Sequence, residues 1–202
     1  MTLPIILASG SAIRHQILTD ADVPHSVRTK TIDEDALKSG LLAEGHSPRN
    51  VADALAEAKS LAVSRNTPGL VIGADQVMVM AENGTEQMFD KPRDRDDARE
   101  RLRAMSGREH QLIGATVVSE DGRPVWRNLA TTRLYVRELS DAFIEDYLNA
   151  EGDLVTQSVG AYRFEGRGAQ LFTRVEGDFF AILGLDLLPL LDYLRLRGAM
   201  PA

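Results

Sequence analysis

The stretch Leu70-Val71-Ile72-Gly73-Ala74-Asp75-Gln76-Val77-Met78-Val79-Met80 constrains this chain more than any other. Apolar runs rich in β-branched residues flank a small polar centre, and each run reads as a buried strand. A carboxylate inside such a strand is costly to bury alone. Asp75 is therefore either paired with a Lys or Arg that ties two elements together, or set where the strand reaches a cleft and binds something. Gly73 and Ala74 leave room beside it for a ligand or for another backbone.

The rest of the chain supplies strands and helices around this one. Leu3 to Ala8 reads as a first strand, and Ser9-Gly10-Ser11 breaks it. A helix follows with Ile13 and Ile17 on one side and Ser11 at its N-cap. A strand, a small polar turn and a helix N-terminus suit an anion, although an ordinary capped turn looks the same and no P-loop pattern is present. His25 to Arg28 reads as a short strand, and Ile32-Asp33-Glu34-Asp35 as an acidic surface loop. Ser47-Pro48 opens a second helix with Val51, Leu55, Ala58 and Ala62 as its apolar face and Lys59 at the border. Pro68-Gly69 is a turn. Asn83-Gly84 predicts a hairpin returning through Met88-Phe89. Lys91 precedes Pro92 and is biased to extended backbone, either in a surface loop or reaching a cleft.

Asp94 to Met105 predicts a third helix, with Ala98, Leu102 and Met105 buried, a solvated Arg/Asp face and Gly107 as its stop. Glu109 to Ser119 and Pro124 to Arg137 form a long hairpin around Asp121-Gly122. Ser140 caps a helix carrying Phe143, Ile144, Tyr147 and Leu148. Gly160 to Gly168 is glycine-spaced and reads as tight turns or close backbone approach. Ala169 to Val175 reads as a strand, Phe179 to Leu185 as a buried turn, and Leu187 to Leu196 as a last helix. Strands alternate with helices, yet hairpins are present too, so the fold is α/β with a mixed sheet.

Composition narrows the function classes. The 202 residues fit one domain, at most with two lobes, and 44% apolar with 26% charged residues is ordinary for a globular protein. No run of about 18 apolar residues exists, so no membrane helix is expected. Met1 to Ser9 has no basic segment before its apolar run, so no secretory signal is expected. The chain has no cysteine, which excludes disulfides and thiolate chemistry and fits a cytoplasmic location. A formal charge of −7 argues against a general nucleic-acid binder, but not against a small phosphorylated ligand.

Several weak signals occur in a particular order. They are Leu7-Ala8-Ser9-Gly10-Ser11 with Arg14, Asp33-Glu34, Lys59, Gly73-Ala74-Asp75-Gln76, Lys91-Pro92, Ser106-Gly107-Arg108-Glu109-His110, and Gly160-Ala161-Tyr162 with Glu165-Gly166. This set resembles the Maf family of nucleoside triphosphate pyrophosphatases, historically called septum formation inhibitors. The resemblance runs from Leu7 to about Leu191 and is specific through the order of the motifs, since none alone is diagnostic. It implies a single α/β domain over residues 1–202, with a mixed twisted sheet, flanking helices and two lobes around a central cleft. It also implies cleavage of a nucleoside triphosphate between its α and β phosphates with a divalent cation, Mg²⁺ or Mn²⁺, and a homodimer.

Elementary chemistry agrees with that reaction. Hydrolysis of a polyphosphate needs an oxygen-ligated metal, an activated water and cations to absorb charge. Asp75 and Glu34 are the candidate metal ligands and water-activating acids. Lys59, Lys91 and Arg14 would neutralise phosphates, and Ser9 and Ser11 would bind them at the helix N-terminus. Gln76 and Glu165 point to the base. Members that prefer thymidine or uridine triphosphates tend to carry Gly-Ala-Asp-Thr and a Gln where this chain has Gln76 and Glu165, which is similar to the subfamily acting on 7-methyl-GTP. A carboxylate accepts from both N1–H and the 2-amino group of guanine, and an acid beside Phe164 suits a cationic methylated base.

One departure stands out: where the family has Ser-Pro-Arg-Arg, this chain has Ser11-Ala12-Ile13-Arg14, so Ile13 replaces a phosphate-binding cation. His15 lies beside it but faces another side of the helix. Near the C-terminus a family Gly-Leu-Pro turn appears as Gly184-Leu185-Asp186. Two other readings follow: a nucleotide-binding regulator of cell division without catalysis, and another metal-dependent phosphatase.

Overall fold

A computed structural model describes residues 3–82 and 85–201. In chain order the strands are β1 (Ile5–Leu7), β2 (His25–Val27), β3 (Leu70–Glu82), β4 (Thr85–Phe89), β5 (Glu109–Glu120), β6 (Arg123–Val136) and β7 (Phe172–Glu176). The helices are α1 (Ala12–Asp20), α2 (Glu34–Ala43), α3 (Pro48–Ser64), α4 (Arg95–Met105), α5 (Asp141–Glu151), α6 (Phe179–Ile182) and α7 (Leu187–Leu196). The sheet order is β2-β1-β3-β5-β6-β7, with β4 paired to β3. β1 runs parallel to β2 and β3, whereas β3–β4 and β6–β7 are antiparallel, so the sheet is mixed.

The chain divides into two compact units. The first comprises residues 1–76, 114–130 and 178–202, and the second 77–113 and 131–177. In the first, the two-residue period of strands decides which helix each residue meets. Ile5 and Leu7 of β1 join Leu70, Ile72 and Ala74 of β3 in one core, which Ile17 and Leu18 of α1 and Leu187, Leu190 and Leu194 of α7 complete. Ile6, Ala8 and Val71 point the other way and pack with Val63 of α3. Asp75 has the parity of Val71, so it faces α3. Both apolar runs of β3 are buried throughout, as expected.

α3 carries the predicted Ser47 cap and Pro48 start, but its buried face is Val51, Ala52, Leu55, Ala56, Ser60 and Val63. Ala58 and Ala62, expected in the core, line a groove under α2 with a cavity volume of ≈ 580 Å³. The acidic stretch at 32–35 is not a loop throughout. Asp33 caps α2, accepting from the Ala36 amide at 2.9 Å, and Glu34 and Asp35 occupy its first turn. Acids there complement the exposed amides and the helix dipole.

In the second unit Met78, Met80, Leu102, Met105, Leu134, Ile144 and Tyr147 are buried. The Arg/Asp face of α4 is not simply solvated: Arg95 pairs with Glu145 at 3.2 Å, Arg103 with Asp141 at 2.8 Å, and Arg99 also with Glu145, which joins α4 to α5. Gly107, at φ +67°, ends α4 as expected. The β5–β6 hairpin turns at Asp121 (φ +50°) and Gly122 (φ +74°), both left-handed as its two-residue loop requires. The segment before β7 is a 3-10 turn over Arg167–Leu171, so the strand starts later than predicted. The buried turn expected at Phe179 to Leu185 begins instead as the short helix α6, with Asp178 accepting from the Phe180 and Ala181 amides. The predicted Asn83-Gly84 turn lies outside the described residues.

Candidate active site

Gly73 brings the site together. A Cβ at this position would collide with the Ala56 carbonyl oxygen and with Ser60, so only glycine lets α3 lie this close to β3. The close approach settles which neighbour Gly73 makes room for: it is the backbone of a helix. Ser60, facing the strand, donates to the Glu57 carbonyl at 2.9 Å and lies 2.7 Å from the Ser119 hydroxyl of β5. Lys59, the residue before it, then reaches Asp75.

The Lys59 ammonium donates to Asp75 Oδ1 at 2.6 Å and pairs with Glu34 Oε2 at 2.7 Å. The side chains of Lys59 and Asp75 are 15% and 12% exposed, while Glu34 is 49% exposed. Asp75 thus has a partner that offsets its burial, and one cation draws two carboxylates to the same point. This acid is both paired and placed beside a solvent-reaching carboxylate.

On the other parity, the turn after β1 is tied to the same strand. Ser9 Oγ accepts from the Ser11 amide at 3.3 Å and from Arg14 Nη1 at 3.1 Å. Ser11 is the N-cap of α1, accepting from the Arg14 amide. Arg14 also donates from Nη1 to the Ala74 carbonyl at 2.9 Å and from Nε to the Gly184 carbonyl at 2.8 Å. Burial pushes its guanidinium below the ordinary range, and the charges of Asp75 and Glu34 offset that only in part. Arg14 is therefore a clamp as well as a cation. Gln76 Nε2 donates to the Ala181 carbonyl at 2.8 Å and the Ile182 carbonyl at 3.3 Å, so its amide nitrogen anchors α6. His15 faces the other way and meets His25, Nδ1 to Nε2 at 2.8 Å. Ile13 packs against the apolar core.

The sequence-predicted residues Ser9, Ser11, Arg14, Glu34, Lys59, Asp75 and Gln76 all stand in the first unit. Lys91 and Glu165 stand in the second. Lys91 is exposed between β4 and α4. Glu165 is exposed and accepts from Arg163 Nε at 3.2 Å. Its loop is braced from below: Ser158 Oγ donates to the Tyr162 carbonyl at 2.7 Å and accepts from the Tyr162 amide at 3.0 Å. The Tyr162 hydroxyl lies 2.8 Å from His110 Nε2. Burial lowers the His110 pKa to about 3, so the ring is neutral. Sequence reasoning missed Gly184 and Ala74 as acceptors for Arg14. Backbone carbonyls carry no residue-type signal that could have found them.

A family profile described as Maf-like protein matches residues 4–197. The chain belongs to the Maf family. A Maf relative from Rhizobium meliloti, named 7-methyl-GTP pyrophosphatase, is 48% identical over 199 residues, covering 98% of each chain. Relatives from Caulobacter vibrioides and Roseobacter denitrificans, each named nucleoside triphosphate pyrophosphatase, are 47% identical (98% of this chain, 97% of that protein) and 45% identical (100% of both).

Proposed function

We propose that this Maf protein hydrolyses a nucleoside triphosphate between its α and β phosphates, releasing a monophosphate and pyrophosphate. Its substrate is a non-canonical or modified nucleotide, with 7-methyl-GTP as the first candidate, and its role is to clear such nucleotides. The observation that carries this reading is the convergence of Asp75 and Glu34 on one point beside the capped turn of α1. The names of the relatives support it.

The donor set suits a hard divalent cation. Among the described residues no group of three or more His, Asp or Glu side chains gathers to hold a metal. Two carboxylates reaching one point are nevertheless what Mg²⁺ or Mn²⁺ takes from a protein when water and phosphate fill its other positions. Asp75 and Glu34 would hold it, and when bound it supplies charge that offsets the charge developing on the phosphates.

The chain's own groups do the rest. Asp75 orients the attacking water and takes its proton as the elements of water add across the α–β anhydride. Glu34 holds the same water or the cation. Lys59 and Arg14 offset phosphate charge, and Ser9 with the amides after it binds phosphate oxygens at the start of α1. Lys91 as a further phosphate cation, and Gln76 and Glu165 as base contacts, enter from the sequence pattern. Gln76 would read the base through Oε1, since its nitrogen is engaged. In this reading the units serve one domain and the chain pairs as a homodimer in the cytoplasm, without nucleic-acid or membrane partners. Sedimentation tests the pairing.

The experiment is a screen of purified protein with Mg²⁺ or Mn²⁺ against canonical and modified nucleoside triphosphates. Pyrophosphate release is expected, with Asp75→Asn lowered on the order of a hundredfold or more. No pyrophosphate from any substrate would sink the reading, and orthophosphate instead would make the protein a different phosphatase. Full activity in Asp75→Asn would remove the role given to Asp75. A second reading, nucleotide binding without turnover, is favoured by Ile13, which packs against the apolar core where the family places an arginine.

A further inference from the structure

We propose that Lys59 is a built-in cation that keeps the Asp75–Glu34 site closed to a bare divalent ion and releases it only when a triphosphate arrives. The inference rests on those carboxylates being the metal's ligands. The Lys59 ammonium lies 2.6 Å from Asp75 Oδ1 and 2.7 Å from Glu34 Oε2, at the point where they converge. A magnesium ion needs those oxygens at about 2.0–2.1 Å. Ammonium and metal therefore compete for one place.

Charge makes the competition one-sided. Asp75 and Glu34 are balanced by Lys59 and by Arg14, whose charge both acids feel. Adding a bare dication here would leave an excess of positive charge beside the mostly buried Lys59 and Asp75, where like charges repel more strongly than in water. Arg14 cannot give way, because the carbonyls of Gly184 and Ala74 hold its guanidinium. Lys59 can, on its long flexible stem, provided an anion receives it. A triphosphate is such an anion. Glu34 can follow, since it opens α2, a helix with no buried residue. Metal and triphosphate then bind with positive coupling, and the coupling is reciprocal.

The test reads binding rather than turnover. Mn²⁺ without nucleotide is titrated into wild-type protein and into Lys59→Met and Lys59→Gln, with bound ion followed by electron paramagnetic resonance. Both variants should bind Mn²⁺ at least about tenfold more tightly than wild type, within the usual range of site coupling. Binding of a fluorescent α,β-methylene analogue of GTP to wild type should tighten by a similar factor when Mg²⁺ is added, and this dependence should shrink in the variants. The wild-type measurement stands even if a variant folds poorly. Wild type binding bare Mn²⁺ as tightly as the variants, or no tightening of the analogue by Mg²⁺, would overturn the gate and leave the pyrophosphatase reading intact. Pyrophosphate release by a protein that binds no Mn²⁺ with or without the analogue would overturn the gate together with the ligand assignment. Absence of any pyrophosphate release in the substrate screen is the separate failure of the enzyme reading.

Discussion

Gly73 sets the distance between α3 and the acid-bearing strand, so its substitution should act on stability and chemistry together. Gly73→Ala places a methyl against the Ala56 carbonyl and Ser60. A loss of about 1–3 kcal/mol is expected from the forced separation, read as a lower denaturation midpoint, with reduced turnover as Lys59 is drawn off Asp75. His110 gives a second residue-scale expectation. Its pKa falls from 6.5 to about 3 on burial. Between those values only the unfolded chain takes up the proton, so stability is full above about pH 6.5 and declines as pH falls, by up to about 1.4 kcal/mol per pH unit. Urea titrations from pH 7 to 5 should show this slope, and His110→Gln should lack that part of it. Residue identity made Asp75 stand out in the sequence, because an acid in an apolar strand demands a partner, whereas Lys59 and Glu34 read by themselves as a border lysine and a surface acid and became candidates only through the resemblance to the Maf family. It did not show that Arg14 would be spent on carbonyls, which depends on where distant backbone arrives.

Among the described helices α1 to α7, α2 alone has no buried residue. Its Leu37 and Leu41 face the groove over α3. Its amides should therefore exchange with deuterium well before those of Val51 to Val63 in α3, as read by mass spectrometry of the intact protein. Equal protection of the two helices would count against the mobility that the Lys59 gate assigns to Glu34. Helix α2 is also where the sequence misleads. Acidic residues suggested solvated loop, yet Asp33, Glu34 and Asp35 are a cap and first turn, and the few apolar positions after them gave a weak stripe. α1, α4 and α5 were legible because a cap or a glycine stop bounded their apolar positions, and α7 from its apolar run alone, since no side chain caps it. In α3 the caps were right and the face was shifted, since Ala58 and Ala62 are as apolar as Ala52 and Ala56 and only the sheet decides between them.

On the scale of the whole chain, the mixed sheet was legible because hairpins break the strand–helix alternation. Which segments make up each unit was not legible, because each is assembled from stretches far apart in the chain. Parallel pairing of β1 with β3 joins Leu7 to Ile72 across a long stretch of chain, and the Arg14–Gly184 bond spans 170 residues. Contacts that remote close late and slow folding relative to helical bundles. No helix among the described residues is long and apolar enough to cross a membrane. The anchoring of α6 has a consequence for protein engineering. Gln76 supplies the donor for the Ala181 and Ile182 carbonyls, and Arg14 supplies the one for Gly184. Exchanging Gln76 for threonine to redirect base preference would also withdraw an anchor from a segment more than a hundred positions away in sequence. On the proposed role of Gln76 at the base, selectivity has to be altered in concert with residues 179–184, and single-site libraries at 76 should yield variants limited by misfolding before they report on the base.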